Sequence, residues 1–309
     1  MKALVKVGYG CNEHCTFCHT QDVREIQGDA AEVEAKIDRA HALGHTMVVL
    51  SGGEPTIRPE LEVLCRLLRQ AGPLEDLSLS TNGVRLPAVA ETLRAAGLDR
   101  VNISADSLRP DRIRRIARRS FDFDPVAAAL AAERAGLSPI KLNVVVLRGV
   151  NDDEIEDFAR LTLDHPWHVR FIELMPVGEM RELTDGHVVP SEEVLARAAS
   201  VAPLVPAEGP ARGNGPARYH RYEGAPGTIG VITPMTHTYC GSCNRVRLTA
   251  DGRLRTCLFG DHEVDLRTPL RAGEPLAPYV HRALAEKPLE HELLALRVGG
   301  LRALSQVGG

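Results

Sequence analysis

The chain has 309 residues, 37 Lys+Arg against 41 Asp+Glu for a formal net charge of −4, and 44 % apolar residues. It is long enough to bury one large core, or a large and a small one, and too apolar for a disordered chain. The charge makes no case for non-specific nucleic-acid binding. No apolar run approaches the roughly 20 residues of a membrane-spanning helix, and the start, "MKALVKVGYG", lacks the apolar core of a secretion signal. The expectation is a cytoplasmic protein without membrane or nucleic-acid partners.

From the N-terminus to about Met175, β-rich runs alternate with helical patterns. The strands read as "ALVKVG", "TMVVLSGG", "DLSLSTNG", "RVNISAD", "IKLNVVVL" and "VRFIELM". Helical patterns fall at Ala31–Leu43, Glu60–Gln70, Pro87–Ala96, Pro125–Ala135 and Asp152–Leu163. Six βα alternations imply an α/β fold with a parallel sheet, curled into an incomplete (β/α)6 TIM-like barrel. Functional residues of such barrels gather where strands end, and "GYGCNEHC", "SGGEPT", "STNG", "SADS" and "ELMPVG" fall there. After Gly178 the texture changes to a Gly/Pro-rich loop, Val205–Arg218, and short β-like pieces. Asp251-Gly252 in "TADGRL" reads as a hairpin turn. The expected division is residues 1–178 and a small β-rich domain, 179–309.

Two features read as ordinary structure. The arginine run Arg112–Arg119 is a solvated helix face with Ile113 and Ile116 inward, and His41 with His45 has metal-pair spacing but no third ligand nearby.

Seven cysteines, an odd number, argue against a disulfide scaffold. Cys65 lies on the apolar stripe of a helix and reads as core packing. The other six form two trios, Cys11/Cys15/Cys18 and Cys240/Cys243/Cys257. Thiolates select zinc or iron–sulfur clusters. A zinc site needs a fourth ligand, for which His14 or His19 serves the first trio and His237 or His262 the second. A four-iron cube on three cysteines leaves one iron open to another molecule. From spacing alone the second trio suits zinc and iron–sulfur nearly equally.

"CNEHCTFC", Cys-x3-Cys-x2-Cys with Phe17 before the last thiol, resembles the radical S-adenosylmethionine (SAM) superfamily. So does "SGGEPT" at the end of the second strand, whose Gly52, Gly53 and Glu54 suit a ligand's amino group. The resemblance implies a first [4Fe–4S] cluster whose open iron chelates SAM, and a 5′-deoxyadenosyl radical that takes a hydrogen atom from substrate. From "STNG", "RVNISADSL" and "KLNVVVLRGVNDDEI" through "RFIELMPVGE" to "YCGSCNRVRLTADGRLRTCLF" and the final "VGG", the chain resembles the GTP 3′,8-cyclase family, which makes the first intermediate of molybdenum cofactor.

That resemblance implies a second [4Fe–4S] cluster on Cys240, Cys243 and Cys257 that meets a nucleotide-like substrate. Arg245 and Arg247 contact the nucleotide, and alternate positions on a β-ribbon reach one side. It places Phe17, Gly53, Ser104 and Met175 at the cofactor, Ser80, Lys141 and Arg170 at the nucleotide, and the terminal Gly308 and Gly309 in the active site. It further implies an external one-electron donor of flavodoxin or ferredoxin type, and permits a homodimer. Leu4, Met47 and Val49 stand where the family carries an arginine, a lysine and an arginine, and "GYGCN" replaces Asp-Arg-Cys-Asn. At ~1.5–3 kcal/mol per charge-assisted bond, the phosphate clamp is reduced. The alternatives are therefore a divergent enzyme acting on a non-GTP substrate, one whose second cluster transfers electrons, and a zinc-binding protein that is not an enzyme.

Overall fold

The computed structural model describes residues 2–7, 10–15, 46–118, 123–175, 186–210, 215–243, 245–248, 253–257 and 262–290. The expected helix at Ala31–Leu43, the His41/His45 pair and the Asp251-Gly252 turn lie outside them. The chain forms two compact units. The first comprises the described residues up to Leu174 together with Gly186–Ile232, and the second Met175 and those from Thr233 onward.

The first unit is built on β1 (Lys2–Lys6), β2 (Met47–Ser51), β3 (Asp76–Thr81), β4 (Arg100–Ser104), β5 (Ile140–Val146) and β6 (His168–Glu173), the six strands read from the sequence. They pair in parallel in chain order. Between them run α1 (Leu61–Ala71), α2 (Leu86–Ala95), α3 (Pro110–Ala117), α4 (Pro125–Arg134) and α5 (Ile155–Asp164). Asp124 caps α4 by accepting from the N–H groups of Val126 and Ala127, and Pro125 occupies its first turn. In α3, Ile113 and Ile116 are buried while Arg114 and Arg115 are exposed, as the helix-face reading requires. Cys65 is fully buried in the core, and burial pushes its thiol up to about 12.

Beyond Gly178 the structure differs from the sequence reading. Helix α6 (Ser191–Ala199) was not anticipated, although Val194 and Ala198 form an i,i+4 apolar pair behind two first-turn glutamates. Arg197 of α6 pairs bidentately with Glu156 of α5 at 2.7 and 2.6 Å. All but the first residue of strand β7 (Leu204–Ala207) falls in the segment read as loop, Val205–Arg218. With β8 (Arg218–Tyr222) and β9 (Thr228–Ile232) it extends the first sheet beyond β6 in the order β6-β9-β8-β7. The sequence reading marked the stretches of β8 and β9 as β-like but could not say which sheet they join.

The second unit contains an antiparallel sheet of β10 (Arg247–Leu248), β11 (Arg253–Arg255) and β12 (Glu263–Asp265), followed by α7 (Arg267–Arg271) and α8 (Ala277–Ala285). Its described core is small: Leu254, Val264, Leu266 and Ala283, with Tyr279 and Val280 against it. Among the described residues no helix is long and apolar enough to cross a membrane.

Period-two alternation divides the first sheet's residues. Val48, Leu50, Leu77, Leu79, Val101, Ile103, Ile140, Leu142, Val144, Val169 and Phe171 belong to one buried apolar core. The alternate positions carry Asp76, Ser78, Ser80, Arg100, Asn102, Lys141, Asn143, His168 and Arg170, which share the other face. Parallel strands covered on both sides normally read as continuous apolar runs, so a row of buried polar groups marks a site. Asp76 and Arg100 are its anchor, 3 % and 2 % exposed, with Arg100 donating from Nε and Nη2 at 2.7 and 2.6 Å. Removing one partner of such a pair leaves an uncompensated buried charge. Asp76→Ala is expected to cost about 3–5 kcal/mol in chemical denaturation. The apolar double variant Asp76→Leu/Arg100→Met should recover most of that loss.

Candidate functional site

The loop after β1 carries the first cysteine trio. Cys11 and Cys15 are half-buried; Phe17 and Cys18 lie outside the described residues, as do Gly308 and Gly309. Buried Glu13 bridges the two thiols. Its N–H donates to Cys11 Sγ at 3.4 Å, and its Oε2 accepts from Cys15 Sγ at 3.2 Å. The loop is tied to the ends of two strands: Glu54 N–H donates to the Gly10 carbonyl at 2.9 Å, and Asn82 Nδ2 donates to Asn12 Oδ1 at 2.8 Å.

Glu54, in "SGGEPT", is 2 % exposed. Its Oε1 accepts from Thr56 N at 3.0 Å, the Thr56 hydroxyl and the Thr81 hydroxyl at 2.6 Å, while Oε2 accepts from Asn82 N at 2.6 Å. Burial raises its pKa, and these four bonds oppose the rise. Three donors fall on Oε1 and one on Oε2, so the side chain ties Thr56, Thr81 and Asn82 together. Asn82 is followed by Gly83 at φ +81°, where a Cβ would sit 2.9 Å from Ile103 Cγ2. Only glycine turns the chain there, directing the Asn82 side chain at the cysteine loop.

At the same ends of the strands, Gly52 and Gly53 are half-buried and Ser104 is exposed, while Met175, which belongs to the second unit, is half-buried. Beyond Ser104, Asp106 accepts from Val145 N at 2.9 Å. Burial first, and then the Glu13 charge, push its pKa up to about 7.

Along the polar face, Asn102 connects Ser80 and Arg170, two of the residues assigned to substrate, with Arg100. Its Oδ1 accepts from Arg100 Nη1 and Arg170 Nη2, each at 3.3 Å, and its Nδ2 donates to Ser80 Oγ at 3.3 Å. Two guanidinium donors on one oxygen fix the orientation of the amide. Lys141 is buried, and Arg170 Nε is buried without an acceptor among the described residues. Val49 and Met47 occupy β2 positions next to this face, and Leu4 pairs with Val49 in the register of β1 and β2.

In the second unit, Cys240, Cys243, Cys257, Arg245, Arg247 and Lys287 line one cavity of ≈ 540 Å³, part of it open to solvent. Both arginines line the same cavity, although only Arg247 lies in a strand, β10. Arg245 stacks on Tyr239, 5.7 Å from the ring centre. Arg247 Nε is buried without an acceptor among the described residues, and burial, then the Arg245 charge, depress its pKa. Cys243 is held below the ordinary thiol value: burial opposes this, but the Arg245 N–H and the Lys287 ammonium outweigh it. His237 and His262 are exposed and are not among the residues lining the cavity, and His262 Nε2 sits 3.1 Å from Glu286. Among the described residues no three His, Cys, Asp or Glu side chains converge where a single metal ion could sit. Sequence reading missed Glu13, Thr81, Asn102, Asp106 and Lys287. The first four lie in or beside quoted motifs, whereas nothing around Lys287 signals a site.

His168 faces the cations of the polar face. Burial first, then Lys141, Arg170 and Arg221, push its pKa down to about 4, and its Nδ1 lies 2.7 Å from Thr228 Oγ1. The unfolded chain takes up this proton first, near pH 6.5. Its contribution to stability is therefore complete above pH 6.5 and is lost as pH falls towards 4. Thermal unfolding followed from pH 7 to 4 should show a shallower decline in His168→Gln than in the parent.

Comparison with known proteins agrees with this geometry. The Radical SAM superfamily model matches residues 5–162, and the Molybdenum Cofactor Synthesis C model matches 167–293. The chain is 44 % identical over 315 residues to the GTP 3′,8-cyclase of Heliobacterium modesticaldum, covering 99 % of this chain and 96 % of that one. It is 45 % identical over 310 residues to the GTP 3′,8-cyclase of Moorella thermoacetica, covering 97 % and 94 %. The corresponding protein of Pelotomaculum thermopropionicum is 42 % identical over 308 residues, with the same coverage. A radical SAM domain works with a [4Fe–4S] cluster and SAM, and the cysteine loop after β1 has the thiol donors such a cluster requires. A radical SAM domain followed by this C-terminal region, with such identity along nearly the whole length, places the chain in the GTP 3′,8-cyclase family of the radical SAM superfamily.

Proposed function

We propose that this protein converts GTP to its 3′,8-cyclised product with two [4Fe–4S] clusters, forming the carbon–carbon bond that begins molybdenum cofactor assembly. Given the family, the observation that carries the two-cluster reading is the cavity in which Cys240, Cys243 and Cys257 surround the same space as Arg245 and Arg247. Thiols spread around a cavity suit a cube of four irons better than one tetrahedral ion. No observation on this chain favours a non-GTP substrate, an electron-transfer role for the second cluster or a zinc-binding protein.

The assignments follow the division expected from the sequence. In residues 1–178, parallel strands in chain order, with βα crossovers of one hand, support an incomplete (β/α)6 barrel whose polar face is its interior. Cys11, Cys15 and Cys18 hold the first cluster there. With the Glu54 carboxylate occupied, the main-chain carbonyls of the Gly52–Glu54 segment are the acceptors for the ammonium of SAM, and Phe17, Ser104 and Met175 complete the cofactor site. Bound cluster and SAM supply a 5′-deoxyadenosyl radical that abstracts hydrogen from the substrate, after one electron from a flavodoxin- or ferredoxin-type donor. Ser80, Lys141 and Arg170 face the nucleotide. With Leu4, Met47 and Val49 uncharged, Lys141 and Arg170 carry a larger share of phosphate binding on this face. In residues 179–309, the second cluster and the guanidinium forks of Arg245 and Arg247 hold the nucleotide, and Gly308 and Gly309 reach the active site.

Anaerobically reconstituted protein is expected to bind about eight irons per chain and to turn GTP over to the cyclised product. The Arg245→Ala/Arg247→Ala variant should lose cyclisation while still cleaving SAM. About four irons per chain, or SAM cleavage with GTP left uncyclised, would overturn the reading.

A further inference from the structure

Lys287 lies 44 residues beyond Cys243 and two residues past the end of α8. From Leu284 to Glu290 every other residue is exposed, and Lys287 alone is turned inward. Its ammonium donates to the Cys243 carbonyl at 2.6 Å, the Arg245 carbonyl at 2.9 Å and Cys243 Sγ at 3.5 Å. An ammonium has three donors, and all three are directed at one short segment. The segment suits this: Cys243 is extended, at φ −73° and ψ 107°, so carbonyls two residues apart face the same side. The segment is also where the cavity of the second unit needs precision, because Cys243 and Arg245 both line it. A lysine held only for solubility would leave its head group in water.

We propose that Lys287 is a positioning residue of the second cysteine site. It clamps the Cys243–Arg245 segment so that the thiolate and the guanidinium are aimed together, and it places a fixed positive charge and an N–H···S bond beside the Cys243 sulfur. The proposal rests on the reading of that site as a second cluster. Hydrogen bonds to cluster sulfurs and nearby net charge set reduction potential, and partners that orient ligands matter nearly as much as the ligands. Lys287 thus favours the reduced second cluster and lowers the cost of holding Arg245 against the nucleotide.

The test uses the full-length, reconstituted protein as Lys287→Met, which keeps the stem but removes charge and donors, and as Lys287→Arg, which keeps the charge. Iron content and the first cluster's EPR signal with SAM report whether each variant has folded. Lys287→Met is expected to lower the second cluster's midpoint potential in an EPR-monitored redox titration and to raise KM for GTP by about tenfold or more. Lys287→Arg should restore the potential in larger part than the KM, since it returns the charge but not the three-point grip. If Lys287→Met binds eight irons per chain, to within about one, with potential and KM both at parent values, the proposal is overturned and the two-cluster reading stands. If the parent itself binds about four irons, the two-cluster reading fails and takes the proposal with it.

Discussion

One carboxylate ties the cofactor end of the first unit together. Glu54 accepts from Thr56, Thr81 and Asn82, while its own N–H donates to Gly10. Three segments distant in sequence, the cysteine loop, the Gly-Gly-Glu-Pro stretch and the end of β3, are thereby held in one arrangement. A buried carboxylate is tolerable only when its oxygens are satisfied. The requirement works in both directions: the donors stabilise the charge, and the charge fixes where the donors stand. The Asn82–Asn12 bond carries this order into the loop that presents Cys11 and Cys15.

The polar sheet face follows the same logic at larger scale. Placing Arg100, Lys141 and Arg170 on strands keeps their head groups from roaming, at a desolvation cost that the chain meets only in part. Asp76 neutralises Arg100, and Asn102 distributes hydrogen bonds to Arg100, Arg170 and Ser80. On this face Arg170 Nε is left buried without an acceptor among the described residues. In the second unit the described apolar core is four buried residues, too few for much stability. A cluster bridging Cys240, Cys243 and Cys257 would serve there as a structural staple as well as a chemical centre.

Much of the fold was legible because periodicity is local. All six parallel strands, the inward Ile113 and Ile116, and the buried Cys65 follow from residue patterns a few positions long. The edge strands β7 to β9 were less so. Alternation shows that Tyr219 and Ile229 sit in strands, but the choice of β6 as neighbour depends on register between segments some 55 residues apart, for which the sequence carries no local mark.

The first cysteine trio and the Gly-Gly-Glu-Pro stretch, through their resemblance to the radical SAM superfamily, pointed to the class of chemistry, whereas spacing alone left the second trio open between zinc and iron–sulfur. Only tertiary structure decided how the charges are shared. It gave the Glu54 carboxylate its donors from Thr56, Thr81 and Asn82, made Asn102 the junction of Arg100, Arg170 and Ser80, and brought Lys287 onto Cys243 and Arg245. The physical reason is that hydrogen-bond satisfaction is a property of positions in space. A donor and an acceptor separated by dozens of residues leave no local trace of the bond they will form.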